Sequence, residues 1–203
     1  MSDRPSICVF DLGNVVIEWD RRRLFGRLIH DPAELDHFLD HVFTMTDNAA
    51  LDRGATLHEV TAAATARHPE YAAWIDAFRT NWIETLGPLI VGTVELIDEL
   101  RTRNVPRYAL SNFGAETFAM VEDVHPFGYW FDGLVISGRE GTVKPEPEIF
   151  ELLCSRFGFE PREAVFIDDS VPNVEAAARI GFDTILFEGA DLLRSELETR
   201  RLI

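Results

Sequence analysis

The sequence predicts an α/β protein, a doubly wound parallel sheet with a small helical cap inserted after the first strand. Three observations predict it. From Gly92 onward, short apolar runs rich in Val, Ile and Phe alternate with helical periodicity, and strands separated by helices imply right-handed parallel crossovers. The first run, Ile7-Cys8-Val9-Phe10, stands apart from these, separated by a stretch of helical character from Arg21 to about Leu86. Finally, the runs end in polar or acidic residues, as strands do at the edge of an open α/β sheet where loops splay into a ligand-binding crevice. The expected division is a core of residues 1–18 and 87–203 and a cap of residues 19–86.

Composition narrows the function. The 203 residues are 46% hydrophobic, enough to bury a substantial core. Lys and Arg number 19 against 35 Asp and Glu, so the formal charge is 19 − 35 = −16. Such a surface repels phosphate backbones and anionic lipid, which argues against nucleic-acid and membrane partners. An anionic small molecule is still accessible, provided a Lys, a divalent metal or a cluster of backbone N–H groups outweighs the general field. Cys8 and Cys154 fall in a strand pattern and on an apolar helix face, as reduced core thiols do. There is no Cys-x-x-Cys pair and no cluster with zinc spacing. The opening Ser2-Asp3-Arg4-Pro5 is polar and the first apolar run is cut by Asp11, unlike a signal peptide or membrane span. A cytoplasmic location is the default expectation. Nothing in the sequence sets the oligomeric state.

In chain order, Ile7–Phe10 reads as a buried parallel strand breaking into a turn at Asp11-Leu12-Gly13-Asn14. Residues 15–20 read as a short extended flap. Periodicity then predicts helices over residues 21–30, 32–43, 56–68 and 70–86, with Pro32 and Pro69 in first-turn positions. Pro88 and Gly92 bracket the return to the core. Val94, Ile97 and Leu100 mark a helix, Tyr108-Ala109-Leu110 a strand, residues 115–124 a helix and residues 133–137 a strand. Phe150, Leu153, Cys154 and Phe157 share one helical face. Residues 164–167 form a strand, and a helix through Val174, Ala177 and Ala178 stops at Gly181. Residues 184–187 and 190–202 close the chain as strand and helix.

The chemistry lies at the strand ends. The first strand runs into Asp11, the second into Ser111-Asn112, and another into Asp168-Asp169-Ser170, while Lys144-Pro145 follows the strand ending at Ser137. Each has a local explanation, since Asn112 and Ser170 suit helix caps and Lys144 a solvated surface charge. Together they converge on one sheet edge. Three carboxylates there would repel one another unless a cation sits among them, and oxygen ligands without His or Cys favour Mg²⁺. Asp11 is then placed to attack phosphorus, as carboxylate nucleophiles do in aspartyl-phosphate chemistry.

Asp11-Leu12-Gly13-Asn14-Val15, Ser111-Asn112, Lys144-Pro145 and Asp168-Asp169-Ser170 resemble, in order and spacing, the four motifs of the haloacid dehalogenase (HAD) superfamily. The helical insertion is similar to its C1 cap, and the first motif to that of its sugar-phosphate phosphatases. The resemblance implies a Rossmann-like core and an Mg²⁺-dependent phosphatase acting on a small phosphorylated metabolite such as a sugar phosphate. It implies Asp11 as nucleophile, Mg²⁺ held by Asp11, the Gly13 carbonyl and Asp169, and Asp168 as a further ligand or a partner behind the ligands. Ser111, Asn112 and Lys144 would hold the phosphoryl group, with Lys144 also neutralising Asp11.

One position departs from the pattern. Most phosphatases of the superfamily carry a second Asp two residues after the nucleophile, where it protonates the leaving group and later activates water. Here that residue is Gly13. Glu18, Asp20, Asp47 and Asp52 are candidate substitutes, each also explicable as a solvated acid. The segment Asp52-Arg53-Gly54-Ala55-Thr56-Leu57-His58-Glu59 resembles the cap turn of the family, with a capping box from Thr56 to Glu59 and Arg53 a candidate substrate contact. His58 and His125 read as structural. Two alternatives remain: a metal-free dehalogenase, which the Asp168-Asp169 pair disfavours, and a non-catalytic phosphate-ligand-binding protein.

Overall fold

The computed structural model describes residues 4–203. After β1 (Ile7–Phe10), the chain forms β2 (Ile17–Trp19) and then the helices α1 (Arg21–Leu28), α2 (Pro32–His37), α3 (Met45–Asp52), α4 (Leu57–Arg67) and α5 (Ala72–Asn81). It returns through β3 (Leu86–Leu89) and α6 (Val91–Thr102) to β4 (Arg107–Ser111). The helices α7 (Ala115–Glu122) and α8 (Phe127–Trp130) lead to β5 (Gly133–Ile136), then α9 (Ser137–Glu140) and α10 (Pro147–Phe157). Finally β6 (Ala164–Asp168), α11 (Val171–Ile180), β7 (Asp183–Leu186) and α12 (Ala190–Thr199) complete the fold. The core sheet is parallel, in the order β5-β4-β1-β6-β7.

Alternation along β1 sorts the core into two layers. Cys8 and Phe10 pack with Leu96, Ile97 and Leu100 of α6 and with Leu193 and Leu197 of α12. Ile7 and Val9 face the other way, onto Ile149, Phe150 and Leu153 of α10 and Ala176 and Ala177 of α11. A central strand covered on both faces explains why β1 reads as an unbroken apolar run. Both cysteines are free thiols, and burial raises the pKa of each, Cys154 to about 11. No helix among the described residues is long and apolar enough to cross a membrane.

Helices α1 to α5 enclose their own aromatic centre. Phe25 stacks on Phe78, and Phe43 meets Phe78 at 4.7 Å between centroids. This centre is continuous with the α6 side of the sheet. The entering and leaving chains are tied together, because β2 and β3 form an antiparallel ribbon.

Three local expectations are corrected. The helix expected over residues 70–86 is a 3₁₀ turn at Pro69–Tyr71, α5, a second 3₁₀ turn at Trp82–Thr85 and then the strand β3. Gly87 and Pro88 suit such an extended exit, and β3 exists because the flap offers it a partner. The helix expected over 32–43 becomes α2 followed by a π-helical turn at Phe38–Val42. Between residues 44 and 55, where no helix was expected, α3 forms behind a capping box of Thr44 and Asp47. Its buried residues are Asp47, Asn48 and Leu51, a mostly polar face that apolar periodicity does not detect.

Candidate active site

The register sets the site. Phe10 pairs with Ala109 on one side and Ile167 on the other, so β1, β4 and β6 end nearly level. Asp11 follows directly, its N–H donating to the Ile167 carbonyl at 2.8 Å. The chain then turns sharply, with Asn14 left-handed at φ 54°. The Asn14 side-chain oxygen accepts from the Trp19 N–H at 2.9 Å. The turn is thereby fastened to the ribbon.

Asp11 is 8% exposed. Its Oδ1 accepts from the Leu12 N–H at 2.7 Å and the Ser111 hydroxyl at 2.8 Å, and lies 2.8 Å from Lys144 Nζ. All three donors use the same oxygen. Oδ2 is left without a hydrogen-bond partner among the described residues. Burial raises the Asp11 carboxyl to about 6, against the lowering pull of Lys144.

Lys144 is buried, not a surface charge, and bridges Asp11 to Asp168, reaching Asp168 Oδ2 at 2.6 Å. Burial works against its ammonium, but the two carboxylates outweigh that and leave its pKa raised. Asn112 fixes the lysine backbone reciprocally, donating to the Lys144 carbonyl at 2.8 Å and accepting from its N–H at 2.7 Å. Asn112 is therefore no helix cap. Ser170 stands at the N-cap position of α11 without a side-chain capping bond. Its N–H donates instead to Asp168 Oδ1 at 2.8 Å.

Asp168 is fully buried. Besides Lys144 and Ser170, it accepts from Asn173 Nδ2 at 3.0 and 3.2 Å. Sequence reasoning missed Asn173. The available signal was an amide in the first turn of the helix after Asp168-Asp169, five residues beyond a carboxylate that needed donors. Asp169 is exposed, and its pKa is raised by partial burial and by the Asp168 charge.

One carboxylate oxygen from each of Asp11, Asp168 and Asp169 lies within 4.8 Å of the others. An all-oxygen set with this much negative charge fits a hard divalent cation such as Mg²⁺.

Beside these groups opens a cleft of about 250 Å³. Trp19, Trp82, Leu86 and Phe113 give it apolar walls, and Asn48 and Asp52 of α3 face it from the cap side. Among the four substitute acids, only Asp52 lines it. Glu18 lies 3.6 Å from Arg23 on the surface, Asp20 caps α1 through the Arg22 N–H, and Asp47 caps α3 and pairs with Arg67. Burial, reinforced by the Asp11 charge, raises the Asp52 carboxyl to about 7. Arg53 points elsewhere, pairing with Glu146 at 2.6 Å. The capping box from Thr56 to Glu59 is present. His58 is exposed, and His125 packs against Phe127 and Trp130.

The model of the haloacid dehalogenase-like hydrolase family matches residues 5–181. A sesquiterpene phosphatase of Aspergillus oryzae is 31% identical over 108 residues, 53% of this chain and 54% of that protein. The chain thus matches only about half the length of that relative. A D-ribitol-5-phosphate phosphatase of Bacteroides thetaiotaomicron is 24% identical over 93% of this chain and 95% of its own. A crystal structure of a HAD family enzyme from Bacteroides thetaiotaomicron, in complex with magnesium and inorganic phosphate, superposes with a TM-score of 0.69. It is 23% identical, over 91% of this chain and 95% of that one, a likeness of fold.

Proposed function

We propose that this chain, which belongs to the haloacid dehalogenase-like hydrolase family, is a phosphatase that releases phosphate from a small metabolite through a phosphoaspartyl intermediate. The observation that carries this reading is the convergence of Asp11, Asp168 and Asp169 with a buried Lys144 at one sheet edge. The phosphatases among its relatives support it.

Asp11 Oδ2 attacks phosphorus, because Leu12, Ser111 and Lys144 hold the other oxygen and fix the carboxylate plane. The phosphorus–oxygen bond to the alcohol breaks as the bond to Asp11 forms. Water then attacks the phosphoaspartate and regenerates Asp11. Lys144 offsets charge on Asp11 and on the transferring group, and Asp168 with Asn173 holds Lys144 in place. Ser111 sits within reach of the same group. The Asn112 side chain contributes by clamping the Lys144 backbone.

Asp11, Asp169 and the Gly13 carbonyl would hold Mg²⁺, with Asp168 behind them. The cation would neutralise the carboxylates and the phosphoryl oxygens at the moment they meet. The cleft points to the leaving group. No Lys or Arg lines it among the described residues, so the departing alcohol is uncharged, with an apolar or ring face against Trp19 and Trp82. A sugar phosphate fits this, and a bisphosphate does not.

Phosphate release from a panel of sugar, alkyl and nucleotide monophosphates, with Mg²⁺ or EDTA, tests the reading. The wild type should release phosphate only with Mg²⁺, and Asp11→Asn should lose at least ~10³-fold in kcat while remaining folded. Turnover that survives Asp11→Asn would sink the phosphoaspartyl mechanism. Halide release without metal would establish the dehalogenase instead.

A further inference from the structure

The proposed chemistry leaves one proton without a carrier. An alkoxide leaving group must be protonated as it departs, and the attacking water must later lose a proton. The position two residues after Asp11 is Gly13, which has neither acid nor base. Its surroundings are open, since a Cβ added there would meet nothing within 4 Å. Its backbone is also not among the positive-φ glycines. The turn therefore has room for a side chain that this sequence omits, and the cleft beside it is faced by a carboxylate from another element.

We propose that Asp52, at the C-terminal end of α3, is the general acid and base of this site, in place of the acid absent at Gly13. This rests on the phosphatase reading above. Asp52 lines the same cleft as Asp11 and Asp169. Asn48, one turn earlier on α3, donates to Asp52 Oδ2 at 3.3 Å, which orients the carboxyl and leaves Oδ1 for the substrate.

The placement of Asp52 is fixed by unusual means. Leu51 packs so closely on Gly114 that a Cβ there would stand 3.2 Å from Leu51 Cβ and 3.4 Å from its carbonyl oxygen. On the other side of Asp52, a Cβ on Gly54 would stand 3.1 Å from the Gly138 carbonyl oxygen. Gly54 also turns the chain at φ 100°. Just beyond, the Leu57 N–H donates to Glu116 at 2.8 Å. The residues flanking Asp52 are thus pressed against the core through glycines on both sides. That is the rigidity a proton carrier needs, because misplacement by about 1 Å can cost 10²-fold in rate.

The electrostatic setting suits the task. The charges facing Asp52 are Asp11, Asp169 and Lys144 from the sheet edge, while its own helix offers Asn48. The ribbon and the segment before α7 contribute Trp19, Leu86 and Phe113, and α7 itself the Thr117 hydroxyl. Burial and the Asp11 charge keep the carboxyl titrating near neutrality, where one group serves as acid and then as base. In the first step Asp52 gives its proton to the departing alkoxide oxygen, which keeps the electron pair of the broken phosphorus–oxygen bond. In the second it takes a proton from water as the water oxygen bonds to phosphorus and Asp11 departs with its electron pair. One proton leaves Asp52 and one returns per turnover.

The test compares two leaving groups in wild type, Asp52→Asn and Asp52→Asn with Gly13→Asp. With the sugar or alkyl phosphate that wild type hydrolyses fastest, Asp52→Asn should lose about 10²–10⁴-fold in kcat. With 4-nitrophenyl phosphate, whose leaving group needs no proton, Asp52→Asn should keep a stoichiometric burst of nitrophenolate near the wild-type rate, followed by slow turnover. Adding Gly13→Asp should restore at least tenfold of the lost kcat on the alkyl ester. Equal loss on both substrates, including the burst, would overturn the assignment in favour of a structural role, and so would undiminished turnover. Wild type that releases phosphate while Asp52→Asn is unaffected removes this proposal alone. Wild type that releases none from any ester removes the phosphatase reading with it.

Discussion

At the sheet edge, Asp168 is wholly buried and accepts hydrogen bonds from Lys144, the Ser170 N–H and Asn173. Across the cleft, Asp52 accepts a single bond of 3.3 Å, from Asn48. Asp168 is fully buried and Asp52 only partly so, and they are supported on opposite terms. Donors aimed at a carboxylate favour its charged form, and burial without donors favours the neutral one. The core side of the cleft therefore ties its innermost carboxylate into a network of donors, and the cap side leaves one carboxylate oxygen of Asp52 free.

That contrast breaks most visibly at Lys144. Lys144→Met removes the cation shared by Asp11 and Asp168 and leaves two buried carboxylates facing each other. Breaking a buried pair in this way costs about 3–5 kcal/mol. Urea unfolding of the metal-free protein should show a loss of that size, and added Mg²⁺ should recover part of it. A variant as stable as wild type would mean that the lysine contributes no net support to the edge.

The two sides also differed in how much of them could be read in the sequence. Asp11, Ser111, Asp168 and Asp169 could be placed at the edge because parallel strands buried on both faces leave uninterrupted apolar runs, so the first polar residues mark the edge. What lay behind the edge was less legible. Taken alone, Lys144 suits a surface charge equally well, because its burial depends on two carboxylates brought from distant strands. Taken alone, Asn112 suits a helix cap equally well, because nothing local shows its clasp on residue 144. Asn173 is an ordinary helix residue until Asp168 needs a donor. On the cap side, α3 went unread because its inward face is Asp47, Asn48 and Leu51. A helix that lines a polar cleft loses the apolar stripe that would reveal it.

Asn173 measures the support on the core side with less violence. Asn173→Ala removes a donor to both oxygens of Asp168 and should cost about 1–3 kcal/mol, the penalty for a buried acceptor losing a partner. Activity should fall by less than in Asp11→Asn, since Lys144 and the Ser170 N–H still hold Asp168. Unchanged stability would mean that those two donors suffice.

Asp52 gives the smaller and pH-dependent counterpart. Its carboxyl is raised from 3.8 to about 7 in the folded protein, so the folded state binds a proton that the unfolded state releases between these values. Stability from this group is thus fully present below about pH 4 and is lost as pH rises toward 7. Asp52→Asn should match wild type in Tm at pH 4 and exceed it above pH 7. The gain is of order 1 kcal/mol once solvent screening of this partly exposed group is counted. A Tm difference independent of pH would show that folding leaves the Asp52 carboxyl unshifted.

Arg53 sharpens the comparison from the other direction, because it asks what holds the cap side in place. Its ion pair with Glu146 spans from the end of α3 to the core at 2.6 Å, with side chains 52% and 36% exposed. Glu146 keeps other partners, accepting from the Thr142 hydroxyl and the Val143 N–H. Exposed pairs of this kind contribute about 0–1 kcal/mol, whereas the close contacts at Gly114 and Gly54 cannot be made by any larger residue without displacement. Arg53→Ala should therefore lower stability by less than about 1 kcal/mol and leave kcat and KM within about twofold. A selective rise in KM would place the guanidinium on the substrate, as its position in the cap turn first suggested. A fall in kcat alone would mean that the ion pair, and not the glycine packing, positions Asp52.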